Sequence, residues 1–231
     1  MSIRARVCAD ALEAAGADRA VFVDLHSPQE QGFFRIPVDD LYSMPVLCRR
    51  AMRQREGDMV VVAPDPGIIK KARGFASALQ VATAIANQPT GPGEKTEIIG
   101  DVAGKTALIV DDFVISGETL FDTAAALREN GAQRVYAAVT HAAPTLEGMR
   151  RLQASAIERI LTTDTVECHP QPLPERFEAV SLAPLLGEAI RRIHNKESLS
   201  VLFPPPDAQI AVFEESMAAW PGALESGHDR R

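Results

Sequence analysis

The residues with the clearest chemical purpose lie together in Val110-Asp111-Asp112-Phe113-Val114-Ile115-Ser116-Gly117-Glu118-Thr119. Two adjacent carboxylates cannot hold a phosphate, but they can accept hydrogen bonds from vicinal sugar hydroxyls or coordinate a magnesium ion through water. Residues Ser116, Gly117, Glu118 and Thr119 supply two hydroxyls and converging backbone N–H groups, and Gly117 lets the backbone approach a ligand closely. Set at a helix N-terminus, such a loop suits a phosphate monoester dianion. A diol site at one end and a phosphate site at the other describe ribose 5-phosphate. The competing role for Asp111 and Asp112 is to cap the following turn.

Two other places carry groups of related kind. Asp24-Leu25-His26-Ser27 closes an apolar run from Arg19 to Leu25, which puts His26 where it could meet a metal or phosphate, or serve as a hydrogen-bonded edge histidine. Asp65 follows the run Met59 to Ala63 in Pro64-Asp65-Pro66-Gly67, with Lys70, Lys71 and Arg73 just beyond. Cations in the first turns of a helix oppose its dipole, so either an anion offsets them or they form a solvated face. A diphosphate or triphosphate chain, with magnesium held by Asp65, is the anion that fits.

The elements that must position these groups alternate. Apolar spacing predicts a helix over 3–15 ending at Gly16, then the strand Arg19 to Leu25. A stretch of turn formers from Ile36 to Pro45 releases into a helix over about 45–55, and Met59 to Ala63 reads as a buried strand. Ala86 to Glu97 has loop composition, as a lid or a spacer. A short β-branched strand then ends at the two carboxylates, and a helix through Phe121, Ala124 and Leu127 stops at Gly131. A strand over 134–140, a helix over 146–153 and a strand over 157–162 follow. A last helix over 182–194 carries Leu182, Leu185, Leu186, Ala189, Ile190 and Ile193 on one face, with Ser181 as its cap. This order predicts an α/β fold with a mainly parallel, doubly wound sheet, whose ligands bind beyond the carboxyl ends of the strands. One domain over 1–203 and a tail over 204–231, opening on Pro204-Pro205-Pro206, is the expected organisation.

Composition narrows the function classes. With 231 residues, 46% hydrophobic, the chain can bury one sizeable core. A net charge of -7 argues against nucleic acid or an anionic membrane as the main partner. Cys8, Cys48 and Cys168 show neither a disulfide framework nor zinc spacing, and no run is long and apolar enough for a membrane span. A reducing cytoplasm is the expected location.

Several separated motifs together resemble one family, the ribose-phosphate pyrophosphokinases, also called phosphoribosyl pyrophosphate synthetases. Asp24-Leu25-His26-Ser27 with Gln31-Gly32-Phe33-Phe34, Ile36-Pro37-Val38-Asp39 with Leu41-Tyr42, Pro64-Asp65, Ile98-Ile99-Gly100-Asp101-Val102, Val110-Asp111-Asp112, Thr140-His141, Thr163-Asp164-Thr165 and Ile190-Arg191-Arg192-Ile193-His194 stand in family order. The resemblance implies a type I phosphoribosyltransferase-like fold and synthesis of phosphoribosyl pyrophosphate from ribose 5-phosphate and MgATP, by in-line displacement at the β-phosphorus.

Carried over residue by residue, the resemblance implies His26 and Asp65 as magnesium residues and Lys71 and Arg73 near the ATP phosphates. Asp111 and Asp112 would meet the ribose hydroxyls, and Ser116, Gly117, Glu118 and Thr119 the 5-phosphate. The chain resembles the C-terminal half of family members and departs from them at three places. Where the family's mobile loop has a Lys and an Arg, this sequence reads Ala86-Asn87-Gln88-Pro89, and Lys95 is the catalytic candidate nearby. Ile115 stands for an Asp of the phosphate loop, and Ile68 for a glycine. The resemblance therefore implies an activity that is weak or dependent on a partner, in a homo-oligomer or a hetero-oligomer with a full-length synthetase. The alternatives are an inactive regulatory or scaffold subunit and a phosphoribosyltransferase that uses phosphoribosyl pyrophosphate.

Overall fold

The computed structural model describes residues 3–53, 55, 57–89, 91, 95–167 and 174–203, so Cys168 and the expected tail from Pro204 lie outside the described residues. The chain divides into two compact units, Met1–Ser43 and Met44–Arg231.

In the first unit, α1 (Ile3–Ala14) precedes β1 (Ala20–Val23), a 3-10 turn (Pro28–Phe33) and β2 (Val38–Leu41). The two strands pair in parallel from Ala20↔Val38 to Val23↔Leu41. β2 falls inside the segment expected to be turns, because Asp39 and Asp40 are poor strand formers and only the pairing with β1 extends them. Asp24 has a left-handed backbone, φ +49°, and its buried carboxylate accepts from both N–H and Oγ–H of Ser43, at 3.2 and 2.5 Å. Asp40 accepts from Leu25 N–H at 3.1 Å. Buried acceptors satisfied by two backbone N–H groups and one hydroxyl hold this strand-end corner in one shape.

The second unit is a seven-stranded sheet between two helical layers. Its elements are α2 (Met44–Arg53), β3 (Met59–Ala63), α3 (Ile69–Leu79), β4 (Ala82–Asn87), β5 (Glu97–Ile99), β6 (Thr106–Val114), α4 (Glu118–Glu129), β7 (Arg134–Ala142), α5 (Leu146–Ala154), β8 (Arg159–Thr163), β9 (Phe177–Val180) and α6 (Ala183–His194). The strand order is β5-β4-β3-β6-β7-β8-β9, with β5 alone antiparallel. Strand residues alternate between two cores, as a period of two requires. Val60, Val62, Ala107 and Ile109 pack with Leu120, Ala124 and Leu127 of α4, whereas Val61, Ala63, Leu108 and Val110 pack with Leu47 of α2 and Phe75 of α3. The sheet is doubly wound, as the sequence predicts.

Chain connections leave β3 toward β4 and β6 toward β7, in opposite directions, so the crevice at the carboxyl ends of β3 and β6 is the topological switch point. This is where Asp65 and Asp111 stand.

Three expectations need correction. The segment expected as a loop from Ala86 to Glu97 needs new bounds: Ala86 and Asn87 belong to β4 and Glu97 opens β5, with Asn87↔Glu97 as the last pair, while the described residues between them lie outside any strand. Ala82, Ala84 and Ala86 weaken the strand signal of β4, and partnership with β3 supplies what propensity lacks. In α6, Ile190 is 65% exposed and Glu188 is buried in its place, because Leu182, Leu185 and Ala189 set the buried stripe. Ser181 stands one residue before the helix's capping position, Leu182, and its Oγ accepts from Ala183 N–H at 3.2 Å.

Candidate functional site

β6 does not stop at Val110; it carries both carboxylates inside the strand and continues to Val114. Pairing with β7 persists at Asp111↔Val139, Phe113↔His141 and Val114↔Ala142. Each carboxylate folds back on the next backbone donor: Asp111 Oδ1 accepts from Asp112 N–H at 2.8 Å, and Asp112 Oδ1 from Phe113 N–H at 3.0 Å. Asp112 is buried and Asp111 half-buried. Burial first, and the neighbouring Asp112 second, push the Asp111 carboxyl up to about 7, against the pull of the Lys71 cation.

Beyond Val114 the chain turns through Ile115, Ser116 and Gly117 into α4. Gly117 is left-handed at φ +77°, and a Cβ there would stand 2.6 Å from the Phe121 ring. The loop is braced from behind. Ile115 C=O accepts from Thr145 N–H at 2.9 Å, and Gly148 of α5 lets the carbonyls of Ile115 and Ser116 come within 3.0 Å of where a Cβ would be. Arg151 lies 5.3 Å over the Phe121 ring and pairs with Glu118 at 3.3 Å. Ser116, Glu118 and Thr119 are exposed, and the first N–H groups of α4 open the same way. Such a helix start, held rigidly by packing, is a ready anion seat.

On the β3 side, Asp65 Oδ1 accepts from Gly67 N–H at 2.6 Å and caps the 3-10 turn Pro66–Ile68 that leads into α3. Lys71 turns inward and donates to Thr140 Oγ1 at 3.4 Å. Arg73, two residues on, is exposed, as residues two apart on a helix face different ways. The structure thus brings Lys71 to the strand-end carboxylates and leaves Arg73 in solvent. Lys95 is 80% exposed and pairs with Glu129 at 3.2 Å, at the opposite end of α4 from the phosphate loop. That end is about 16 Å away along the helix axis at 1.5 Å per residue. His26 belongs to the first unit, where it is exposed on the segment after β1.

Three groupings escaped a reading of the sequence. His141 Nδ1 meets Thr165 Oγ1 at 2.8 Å. Thr165 in turn meets Thr163 Oγ1 at 2.9 Å, and Thr163 donates to Thr140 C=O at 2.7 Å. With each hydroxyl owning one proton, the shortest arrangement has Thr163 donate to Thr140 and Thr165 donate to Thr163. His141 then donates from Nδ1–H to Thr165. Gln88 links Pro64, Thr123 and Thr96. Lys71 with Thr140 is the third. Partners as far as 24 and 69 residues apart, as in His141–Thr165 and Lys71–Thr140, carry no periodic signal, and only the resemblance singled out Thr140-His141 and Thr163-Asp164-Thr165.

Comparison with known proteins identifies the family and the fold. The sequence profile of the phosphoribosyl synthetase-associated domain family matches residues 88–204. Ribose-phosphate pyrophosphokinase of Thermosipho africanus is 43% identical over 206 residues, covering 87% of this chain and 65% of that protein. The enzyme of that name from Chromobacterium violaceum is 43% identical over 210 residues, covering 87% of this chain and 63% of that protein. A crystal structure of phosphoribosylpyrophosphate synthetase from Mycobacterium smegmatis superposes with a TM-score of 0.79 at 34% identity, over 85% of this chain and 65% of that one. The chain therefore spans slightly less than two thirds of the length of these relatives. Its doubly wound sheet is that of the type I phosphoribosyltransferase-like fold. The chain belongs to the phosphoribosyl synthetase-associated domain family, alongside the ribose-phosphate pyrophosphokinases.

Proposed function

We propose that the chain binds ribose 5-phosphate at the carboxyl end of β6, takes MgATP from the side of the Asp65 turn, and serves phosphoribosyl pyrophosphate and nucleotide biosynthesis. The observation that carries this reading is the order of groups along one segment: the half-buried carboxylate of Asp111 and the buried one of Asp112, then a braced loop opening on the N-terminus of α4. Asp111 and Asp112 accept from the vicinal hydroxyls. The 5-phosphate takes the hydroxyls of Ser116 and Thr119 and the backbone N–H groups from Gly117 onward. Glu118 contributes its N–H alone, since its carboxylate is paired with Arg151. Lys71 and Arg73 meet the ATP phosphates. In the transfer, the sugar 1-oxygen bonds to the β-phosphorus of ATP, AMP departs with the α-phosphoryl oxygen, and the hydroxyl proton is released.

Magnesium takes oxygen ligands, keeps several waters and is commonly held by one or two carboxylates plus substrate phosphates. Among the described residues no three His, Cys, Asp or Glu side chains group as a metal cage. Asp65 keeps one carboxylate oxygen beyond its bond to Gly67, so it fits as a single ligand to an ion that arrives with the phosphates. Bound there, magnesium neutralises the phosphate chain. His26 offers a nitrogen donor, which suits magnesium poorly.

We also propose that turnover is weak or depends on a partner, either a second copy of this chain or a full-length synthetase. Gln88 is neutral and Lys95 points its charge at Glu129, so no cation from this hairpin meets the moving phosphoryl group. Loss of such a cation lowers phosphoryl-transfer rates by roughly 10³ to 10⁵. The same observation favours the second reading, an inactive regulatory or scaffold subunit.

Titration calorimetry with ribose 5-phosphate and then MgATP, followed by an assay of phosphoribosyl pyrophosphate on the same sample, tests these readings. Binding with slow turnover supports the first reading, and binding without turnover the second. No binding of ribose 5-phosphate overturns the first reading and leaves a scaffold role, which failure to co-purify with a synthetase would overturn in turn.

A further inference from the structure

We propose that Gln88 is a positioning residue whose side-chain amide fastens the Asp65 turn to α4, so that this end of the β4–β5 hairpin is a fixed strap and not a closing lid. Gln88 immediately follows the last residue of β4. Its Nε2 donates to Pro64 C=O at 2.7 Å and to Thr123 Oγ1 at 3.0 Å, and its Oε1 accepts from Thr96 Oγ1 at 3.1 Å. One amide thus uses both donors and one acceptor on three separate segments. Pro64 is the residue before Asp65, and Thr123 is fully buried in α4, the helix whose N-terminus carries the phosphate loop.

The amide's orientation is determined by its surroundings. A flipped amide would set Oε1 against the Pro64 carbonyl, acceptor to acceptor, and lose both donations. Thr96 faces Gln88 one step beyond the last hairpin pair, Asn87↔Glu97, so the two side chains clip the hairpin shut where its loop begins. Because β3 lies between β4 and β6, the bridge passes over the carboxyl end of β3, where the Asp65 turn begins. The turn is therefore held from above by Gln88 at Pro64 and from within by the Asp65 cap on Gly67. The functional consequence rests on the reading given above: the spacing between the diphosphate end and the 5-phosphate end of the site is fixed before ligand arrives, with no entropy lost in ordering it.

The test uses the full chain with Gln88→Leu, which keeps the volume and removes every bond, and Thr123→Val, which removes one acceptor. Two readouts are taken: amide hydrogen exchange at Gly67 and Ile68, and calorimetric titration with magnesium pyrophosphate and, separately, with ribose 5-phosphate. Gln88→Leu should speed exchange at the Asp65 turn and weaken pyrophosphate about tenfold while ribose 5-phosphate changes less than about twofold, and Thr123→Val should do the same more mildly. Unchanged exchange at Gly67 in Gln88→Leu overturns the proposal. So does a uniform rise in exchange through β6 and α4 with both ligands weakened alike, which marks a merely structural role. If the unsubstituted chain binds neither ligand, the proposed function fails, and the exchange comparison still decides the role of Gln88.

Discussion

Asp111 and Asp112 stand side by side inside β6, and the Asp111 carboxylate accepts the Asp112 backbone N–H at 2.8 Å. That single donor does not offset the loss of water, and the Asp111 carboxyl is pushed up to about 7. An unfolded chain releases this proton near 3.9. Between these values the native state binds more protons than the unfolded state, so stability falls as pH rises from about 4 to about 7, then levels. Asp111→Asn should remove this slope and stabilise the protein by roughly 2 to 4 kcal/mol at pH 8, with little effect at pH 4. Urea denaturation at both pH values measures it. A slope that survives in Asp111→Asn assigns the titration to another group.

The two lysines expected near phosphate have opposite surroundings, and this separates their roles. Lys71 is half-buried, bonded to Thr140, and its charge lowers the Asp111 carboxyl. Lys71→Met should weaken MgATP about tenfold and raise the Asp111 carboxyl further, extending the stability loss to higher pH. Lys95→Ala removes only an exposed pair with Glu129, and such pairs contribute about 0 to 1 kcal/mol. Ligand titrations of Lys95→Ala should match the unsubstituted chain. A tenfold loss there would mean that the hairpin delivers Lys95 to the phosphates after all.

How far the site was legible follows from where its information lies. Val110-Asp111-Asp112 and Ser116-Gly117-Glu118-Thr119 are contiguous, so strand, carboxylates, loop and helix could be read in one pass. β4 and β9 could not, because Ala82-Thr83-Ala84 and Phe177-Glu178-Ala179-Val180 become strands through their neighbours. Lys71 and Arg73 look alike in sequence, yet helix geometry turns one toward Thr140 and the other toward solvent. Gln88 read as loop composition because nothing local to it announces Thr123, 35 residues away. Contiguous chemistry was visible, and long-range polar partnership was not.

Glu188 is a second place where a polar group took a position that an apolar pattern assigned elsewhere. Its buried carboxylate accepts from Arg191 Nε and Nη2, both at 2.8 Å, and from Arg192 Nε at 2.7 Å. Those donors hold the Glu188 carboxyl below the usual carboxylate range, so its stabilising contribution is present at neutral pH and is lost as pH falls through the native value. Glu188→Ala should lower stability at pH 7 by about 1 to 3 kcal/mol, and Glu188→Gln by less, since the amide oxygen still accepts. Ile190→Ala, at an exposed position that the apolar pattern counts with the core, should change stability by under about 0.5 kcal/mol. Thermal melts of the three variants rank them directly.

Gly117 and Phe121 should prove to be one mechanical unit. The left-handed backbone of Gly117 would penalise any Cβ by roughly 1 to 2 kcal/mol, and the ring of Phe121, 2.6 Å from that Cβ, adds a clash. Gly117→Ala should therefore destabilise the protein and tilt the first turn of α4, lowering ribose 5-phosphate affinity at least tenfold. Phe121→Leu alone loses packing and the Arg151 contact but leaves the backbone conformation available. If the clash dominates, the double variant is more stable than the sum of the single effects predicts, by about 1 to 2 kcal/mol, and part of the sugar-phosphate affinity returns. If the backbone dominates, the two effects add and affinity stays low, because no change at Phe121 can make the left-handed region comfortable for alanine. Either result locates what shapes the phosphate loop, and only simple additivity together with unchanged affinity in Gly117→Ala would detach the loop from sugar-phosphate binding.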